Sequence, residues 1–114
     1  MALETSNIME HLPKGSADEV FEVLARGQDV KIERIISKGH TSPEEGWYDQ
    51  DQAEWVMVID GAAELTFEPD QTRRLNKGDH ILIPPHQKHK VSWTDPTKET
   101  VWLAVFFSPN SHPI

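Results

Sequence analysis

The chain has 114 residues, 37% of them hydrophobic, a formal charge of −8 from 19 acids against 11 bases, and no cysteine. That length suits one domain whose single core removes about two-thirds of the unfolded surface from water. No apolar run approaches the ~20 residues of a membrane span, the acidic balance opposes the attraction to phosphate backbones on which nucleic-acid binding depends, and disulfides and thiolate ligands are ruled out. Membrane and nucleic acid are therefore not expected as partners. The opening MALETSNIME carries acids and lacks the basic start and apolar stretch of a secretion signal, which fits a reducing, cytoplasmic setting. Acids gather in SPEEGWYDQDQAE and bases in QTRRLNK and HQKHK. Both read as solvated loops.

Residues 1–15 read as an N-terminal arm. The stretch GSADEVFEVLARG then predicts a short helix over 16–27, with Ser16 as N-cap, Glu19 closing a capping box and Gly27 just past the end. Val20, Phe21, Val23 and Leu24 give that helix an apolar stripe for packing on a sheet. From residue 30 the pattern changes to that of strands. VKIERIIS alternates Val30, Ile32, Arg34 and Ile36 with Lys31, Glu33 and Ile35. WYDQ, EWVMVI, AELTF, RRL, HILIP, HKVSW and VWLAVFF follow at regular spacing with short turns between them, the signature of a β-barrel or sandwich.

The centre of the chain, Glu54 to His89, reads as two hairpins. WVMVID and AAELTF close at Asp60-Gly61, and RRLNKGD returns into HILIPP, which stops at Pro84-Pro85. Short connections favour antiparallel pairing throughout. VWLAVFF is nearly all apolar and is expected at the centre of a sheet or at a subunit contact, and 108–114 is expected to be a loose tail.

Two spacings in this centre carry chemistry. Glu54 is followed seven residues later by Gly61 in EWVMVIDG, and Gly78-Asp79 is followed by Pro84 and His89 in GDHILIPPHQKH. Both resemble the two sequence motifs of the cupin superfamily, over about half the chain. The resemblance implies a small antiparallel β-barrel of the double-stranded β-helix, jelly-roll type, here preceded by the one short helix, with residues 30–107 forming the barrel. It also implies a homodimer and a divalent metal inside the barrel, held by two histidines and a glutamate of the first motif and a histidine of the second.

Residue by residue, Glu54 and His89 carry the ligand role over, whereas Tyr48 and Gln50 stand where the first-motif histidines would be. Period-two alternation puts Tyr48, Gln50, Gln52, Glu54, Val56 and Val58 on one strand face. Tyr48, Gln50, Glu54 and His89 thus form a mixed oxygen and nitrogen donor set for Fe, Mn, Ni or Zn. A one-residue slip or bulge would present Trp47 and Asp49 instead, which makes Asp49 the reserve ligand. His86 stands where the family has glycine, three residues before His89. It is a candidate replacement ligand and, with Tyr48, a candidate proton donor or acceptor for a metal-polarised substrate of oxygenase or isomerase type.

His89, Val91 and Trp93 share a face by alternation and, with Val56, are expected to wall a small-molecule pocket. The other reading of the same residues is a metal-free barrel. In it Glu54 and His89 form a hydrogen-bonded pair, completed by Tyr48 and Gln50, that holds a small organic ligand without catalysis. His40 lies in a loop, His11, His80 and His112 are expected at the surface, and Gly46 would permit residues 42–51 to fold over the pocket as a lid.

Overall fold

The computed structural model describes residues 2–43 and 46–109. They form eight strands: β1 (Val20–Arg26), β2 (Val30–Ser37), β3 (Ala53–Asp60), β4 (Ala62–Phe67), β5 (Gln71–Asn76), β6 (His80–Ile83), β7 (His89–Thr94) and β8 (Thr100–Phe107). Every pairing is antiparallel. A five-stranded sheet runs β1-β2-β8-β3-β6, and a three-stranded sheet β5-β4-β7 lies over it. As its apolar run suggests, β8 is the central strand of the large sheet.

The two sheets meet in one core, because side chains alternate across each strand. Ile35, Val56, Val58, Ile83, Trp102 and Ala104 face in from the large sheet, and Ala63, Leu65, Phe67 and Leu75 from the small one. In β4 the alternation is complete, with Ala63, Leu65 and Phe67 buried and the residues between them half-buried. Each large apolar side chain so buried contributes about 1.5–3 kcal/mol of transfer free energy. Strand β2 is buried on both faces from Glu33 to Ser37 because the residues before β1 cover its outer side. There Arg34 donates to the carbonyls of Ile8 (3.0 Å), Glu10 (2.7 Å) and His11 (3.3 Å) and pairs with Glu22 at 2.7 Å.

The expected helix over 16–27 is a strand instead. Among the described residues there is no helix, and so none long and apolar enough to cross a membrane. Val20–Arg26 pairs with β2 along Val20↔Ile36 to Arg26↔Lys31, with a bulge between Val23 and Ala25. The end signals were real but belong to turns. Ser16 Oγ accepts from the Asp18 N–H and donates to the Asp18 carbonyl, while the Gly27 N–H donates to Val30 O and closes a β1–β2 hairpin. Val20 and Val23 suit a pleated surface, and an open edge of β2 outweighs the weak local preference of a helix this short.

The two hairpins expected between Glu54 and His89 are also rearranged. Strands β3 and β4 do not pair; at Gly61 the chain leaves the large sheet for the small one, and after β5 it crosses back to β6, which pairs with β3. The true hairpin is β4–β5, closed beside Phe67↔Gln71. Gly61 has φ of +97°, and a Cβ there would lie 2.5 Å from Thr100 Oγ1 and 2.7 Å from Thr100 Cα, so the crossing admits only glycine. WYDQ forms a single bridge, Tyr48↔His89, rather than a strand. The loop that carries it runs along β7: Ser42 N–H donates to Val91 O, Tyr48 and His89 exchange backbone bonds at 2.8 and 3.1 Å, and His86 N–H donates to Gln50 O. Of the expected loose tail, residues 110–114, including His112, lie outside the described residues.

Candidate functional site

Between the sheets lies a cavity of about 180 Å³. Its walls are apolar, supplied by Ile35, Val56, Leu65, Ile83, Val91, Trp102 and Phe106. Its polar groups are Glu19, Tyr48, Gln50, Glu54 and His89. Glu54, second residue of β3, is flanked on neighbouring strands by Ile83 and Phe106, so its carboxylate enters an oily surround. His89 opens β7 opposite Phe67, whose ring centroid is 6.1 Å from the imidazole, and the Tyr48 ring lies 5.7 Å away on the other side.

The chemistry of His89 follows from its two nitrogens. Nδ1 lies 2.9 Å from the Gln87 carbonyl, which only accepts, so Nδ1 carries a proton. Nε2 lies 3.5 Å from Glu54 Oε1, and the side chains of His89 and Glu54 are 5% and 12% exposed. That contact is attractive only when a second proton sits on Nε2 or on the carboxyl. Burial alone pushes the imidazolium down, but the Glu54 hydrogen bond, the Gln87 carbonyl and the Glu54 charge together outweigh it, and the His89 pKa lies above the usual histidine value. Gln50 Nε2 donates to the same Glu54 Oε1 at 3.1 Å. The arrangement is an imidazole whose protonated form is favoured by a neighbouring carboxylate, with an amide holding the carboxylate in place.

Of the residues expected at a site, the structure brings Tyr48, Gln50, Glu54, Val56, His89 and Val91 together around this cavity. Tyr48 stands at its rim, 46% exposed. Asp49 is not among them. Alternation turns it away from Tyr48 and Gln50, and it accepts from His86 Nδ1 at 2.8 Å on the surface. His86, 63% exposed and in a left-handed turn with φ of 62°, is committed to that contact and to Asp51 at 3.6 Å. Neither lines the cavity, so the expected reserve ligand and proton donor form a surface pair instead.

Trp93 is also displaced. Leu65 pairs with Val91 but Glu64 with Trp93, so Ser92 is a bulge residue and Trp93 is turned to the outer face. There it stacks under Arg74, 4.3 Å from the ring centroid. His40 is a structural clip, accepting from Lys38 N–H at 2.9 Å and donating to Ala17 O at 3.1 Å. Two lining residues, Glu19 and Phe21, were not anticipated, because a helical reading of 16–27 hides the period-two face they share. The segment 42–51 is stitched to β7 at Ser42 and Tyr48, with residues 44–45 outside the described part.

The donor set does not fit the divalent metal that the resemblance implies. A transition-metal centre built on nitrogen and oxygen takes three or more protein ligands. Here one carboxylate and one imidazole converge, and they contact each other, while the Gln50 amide directs its N–H at the carboxylate. Among the described residues no group of three or more His, Asp or Glu side chains is disposed to hold a metal ion.

The comparisons bear on the fold. A family model described as a cupin domain matches residues 33–106. A Ralstonia eutropha JMP134 structure, named provisionally as a mannose-6-phosphate isomerase, is similar at 42% identity with a TM-score of 0.90, covering 94% of this chain and all of that one. A Streptococcus pyogenes protein of unknown function (19% identity, TM-score 0.74, 97% and 92% covered) and a cupin superfamily protein from Desulfitobacterium hafniense DCB-2 (17%, 0.71, 86% and 84%) share the fold. No curated protein matches. With two facing antiparallel sheets, a polar pair between them and a family match over most of its length, this chain belongs to the cupin family.

Proposed function

We propose that the protein binds a small organic molecule between its sheets, with the Glu54–His89 pair as polar anchor and proton-exchange couple, and that it does so without a divalent metal. The observation that carries this reading is the 3.5 Å approach of a carboxylate and an imidazole inside an otherwise apolar cavity. A buried ionisable pair is costly to maintain for packing alone. It gives a ligand one donor, His89 Nε2–H, and one acceptor, the Glu54 carboxylate.

On a carbonyl compound the same pair supports enolisation. Glu54 removes a proton from the carbon beside the carbonyl while His89 donates one to the carbonyl oxygen. Such proton transfer is isomerase chemistry, in keeping with how the Ralstonia relative is named. A sugar phosphate is nevertheless a poor ligand for this chain, because among the described residues no Lys or Arg lines the cavity to meet a phosphate dianion. The homodimer implied by the family resemblance belongs to the same reading and is measured directly by sedimentation.

The test is calorimetric titration of the intact chain with small carbonyl and hydroxyl compounds, alongside elemental analysis of protein prepared without chelator. Binding that is lost in both Glu54→Gln and His89→Ala, in protein carrying far less than one equivalent of metal, is the expected result. About one equivalent of a transition metal in the wild type, absent from both variants, overturns the metal-free reading.

A further inference from the structure

The cavity has a second carboxylate that the Glu54–His89 chemistry does not use. Glu19 lines it from the residue before β1, whereas Glu54 enters from β3, with β2 and β8 between the two strands. At about 4.8 Å per strand, three steps set the two strands on the order of 14 Å apart across the sheet. Glu19 is held in place from behind. Ser37 Oγ donates to Glu19 Oε2 and accepts the Trp102 indole N–H at 3.1 Å, and both Ser37 and Trp102 are buried, at 0% and 3% exposed. That chain uses one of the roughly four acceptor positions of a carboxylate.

Phe21, two residues along the chain from Glu19 and 55% exposed, lines the same cavity, as does Trp102. Aromatic faces attract cations. Among the described residues the lining carries two formal negative charges against one imidazole and no lysine or arginine. Its balance is negative whichever state His89 adopts. An anionic ligand meets repulsion at Glu19, and a neutral one brings that carboxylate no counter-charge.

We propose that the pocket selects an amine: the ammonium group sits on Glu19 beside Phe21, and the apolar body runs past Ile35 and Trp102 toward Glu54 and His89. This rests on the small-molecule pocket proposed above and names its ligand class. Glu19 is then a specificity-determining residue, positioned by Ser37.

The test is titration of the full chain with three matched probes, hexylamine, hexanol and hexanoate, repeated on Glu19→Gln, whose amide oxygen still accepts from Ser37. The amine is expected to bind about tenfold or more tighter than the alcohol, with hexanoate weakest, as one charge-assisted contact predicts. In Glu19→Gln the amine should fall to the level of the alcohol. If amine and alcohol bind alike, or the preference survives Glu19→Gln in a variant that melts cooperatively, this inference is overturned and the pocket reading stands. If none of the three binds, the pocket reading fails with it.

Discussion

His89 and Glu54 belong to different sheets, on β7 and β3, yet His89 Nε2 lies 3.5 Å from Glu54 Oε1 inside the cavity between them. The contact is therefore both a tie between layers and the polar centre of the site. It exists because β3 is buried on the cavity side at Glu54, Val56 and Val58, and because the Tyr48 bridge and the Gln87 carbonyl fix the backbone and ring of His89.

A pH dependence of stability follows. The folded pKa of His89 is raised above its unfolded value, so the folded state binds the proton more tightly. The associated stabilisation is fully present below the unfolded histidine value near 6.5, and it is lost as pH rises through the folded value. Urea unfolding from about pH 5.5 to 9 should show this decline in the wild type, and Glu54→Gln, which removes the charge and keeps the volume, should flatten it. An unchanged slope in Glu54→Gln would assign the effect to other groups.

Gly61→Ala should be among the most damaging single-methyl changes in the chain. The new Cβ meets backbone and side chain of Thr100 at 2.5–2.9 Å, and φ of +97° is one that alanine rarely adopts. Thr100 Oγ1 also accepts the Ala62 N–H at 3.2 Å and donates to Ala62 O at 3.1 Å, so it cannot simply retreat. A loss of about 2–4 kcal/mol is expected, read as a drop in the urea midpoint at constant slope. A variant within about 0.5 kcal/mol of wild type would show that the crossing between sheets is more forgiving than its geometry suggests.

Much of this was legible in the sequence, for identifiable reasons. Seven of the eight strands coincide with short strand-like runs set between turns. Tyr48 and Gln50 reach the cavity with Glu54 although the chain bends at Asp51 and Gln52, where Gln52, expected on the same face, donates instead to Asp29 O. Two failures share a cause. In Val20–Arg26 the local signals of a helix were overruled by the open edge of β2, and in Trp93 the alternation was broken by a bulge at Ser92. Both are long-range pairing effects that a local pattern does not encode. At Asp60-Gly61 the glycine was read correctly as a sharp turn, but which strand the chain would pair with afterwards depends on sheet order. Glu19 was hidden by the first of these errors.

The bulge at Ser92 makes a paired prediction. Trp93→Ala removes an outer-face ring stacked under Arg74 at 4.3 Å, so it should cost about 0.5–1 kcal/mol and leave ligand affinity within twofold or so of wild type. Val91→Ala, on the same strand but lining the cavity, should weaken binding of an apolar ligand by several-fold. The reverse order, with Trp93→Ala the more harmful to binding, would mean that β7 runs in register without the bulge and that Trp93 walls the pocket after all.

Residues 8–11 of the arm before β1 are held by the Arg34 side chain, and that gives the last prediction. Arg34, 8% exposed at its side chain, forks to Glu22 through Nε (2.8 Å) and Nη2 (2.7 Å) and caps the carbonyls of Ile8, Glu10 and His11. A lysine brings the charge but not the planar fork, so Arg34→Lys should recover little of this network. Arg34→Met keeps the apolar stem and removes every donor. Glu22 is 38% exposed, so water takes over part of its role. The loss should therefore fall at about 2–3 kcal/mol, below that of a fully buried pair. The sharper readout is local: trypsin should cleave after Lys14 much faster in Arg34→Met than in wild type under conditions where both are folded. Equal cleavage rates would show that the arm is held by its contacts elsewhere and that Arg34 serves only Glu22.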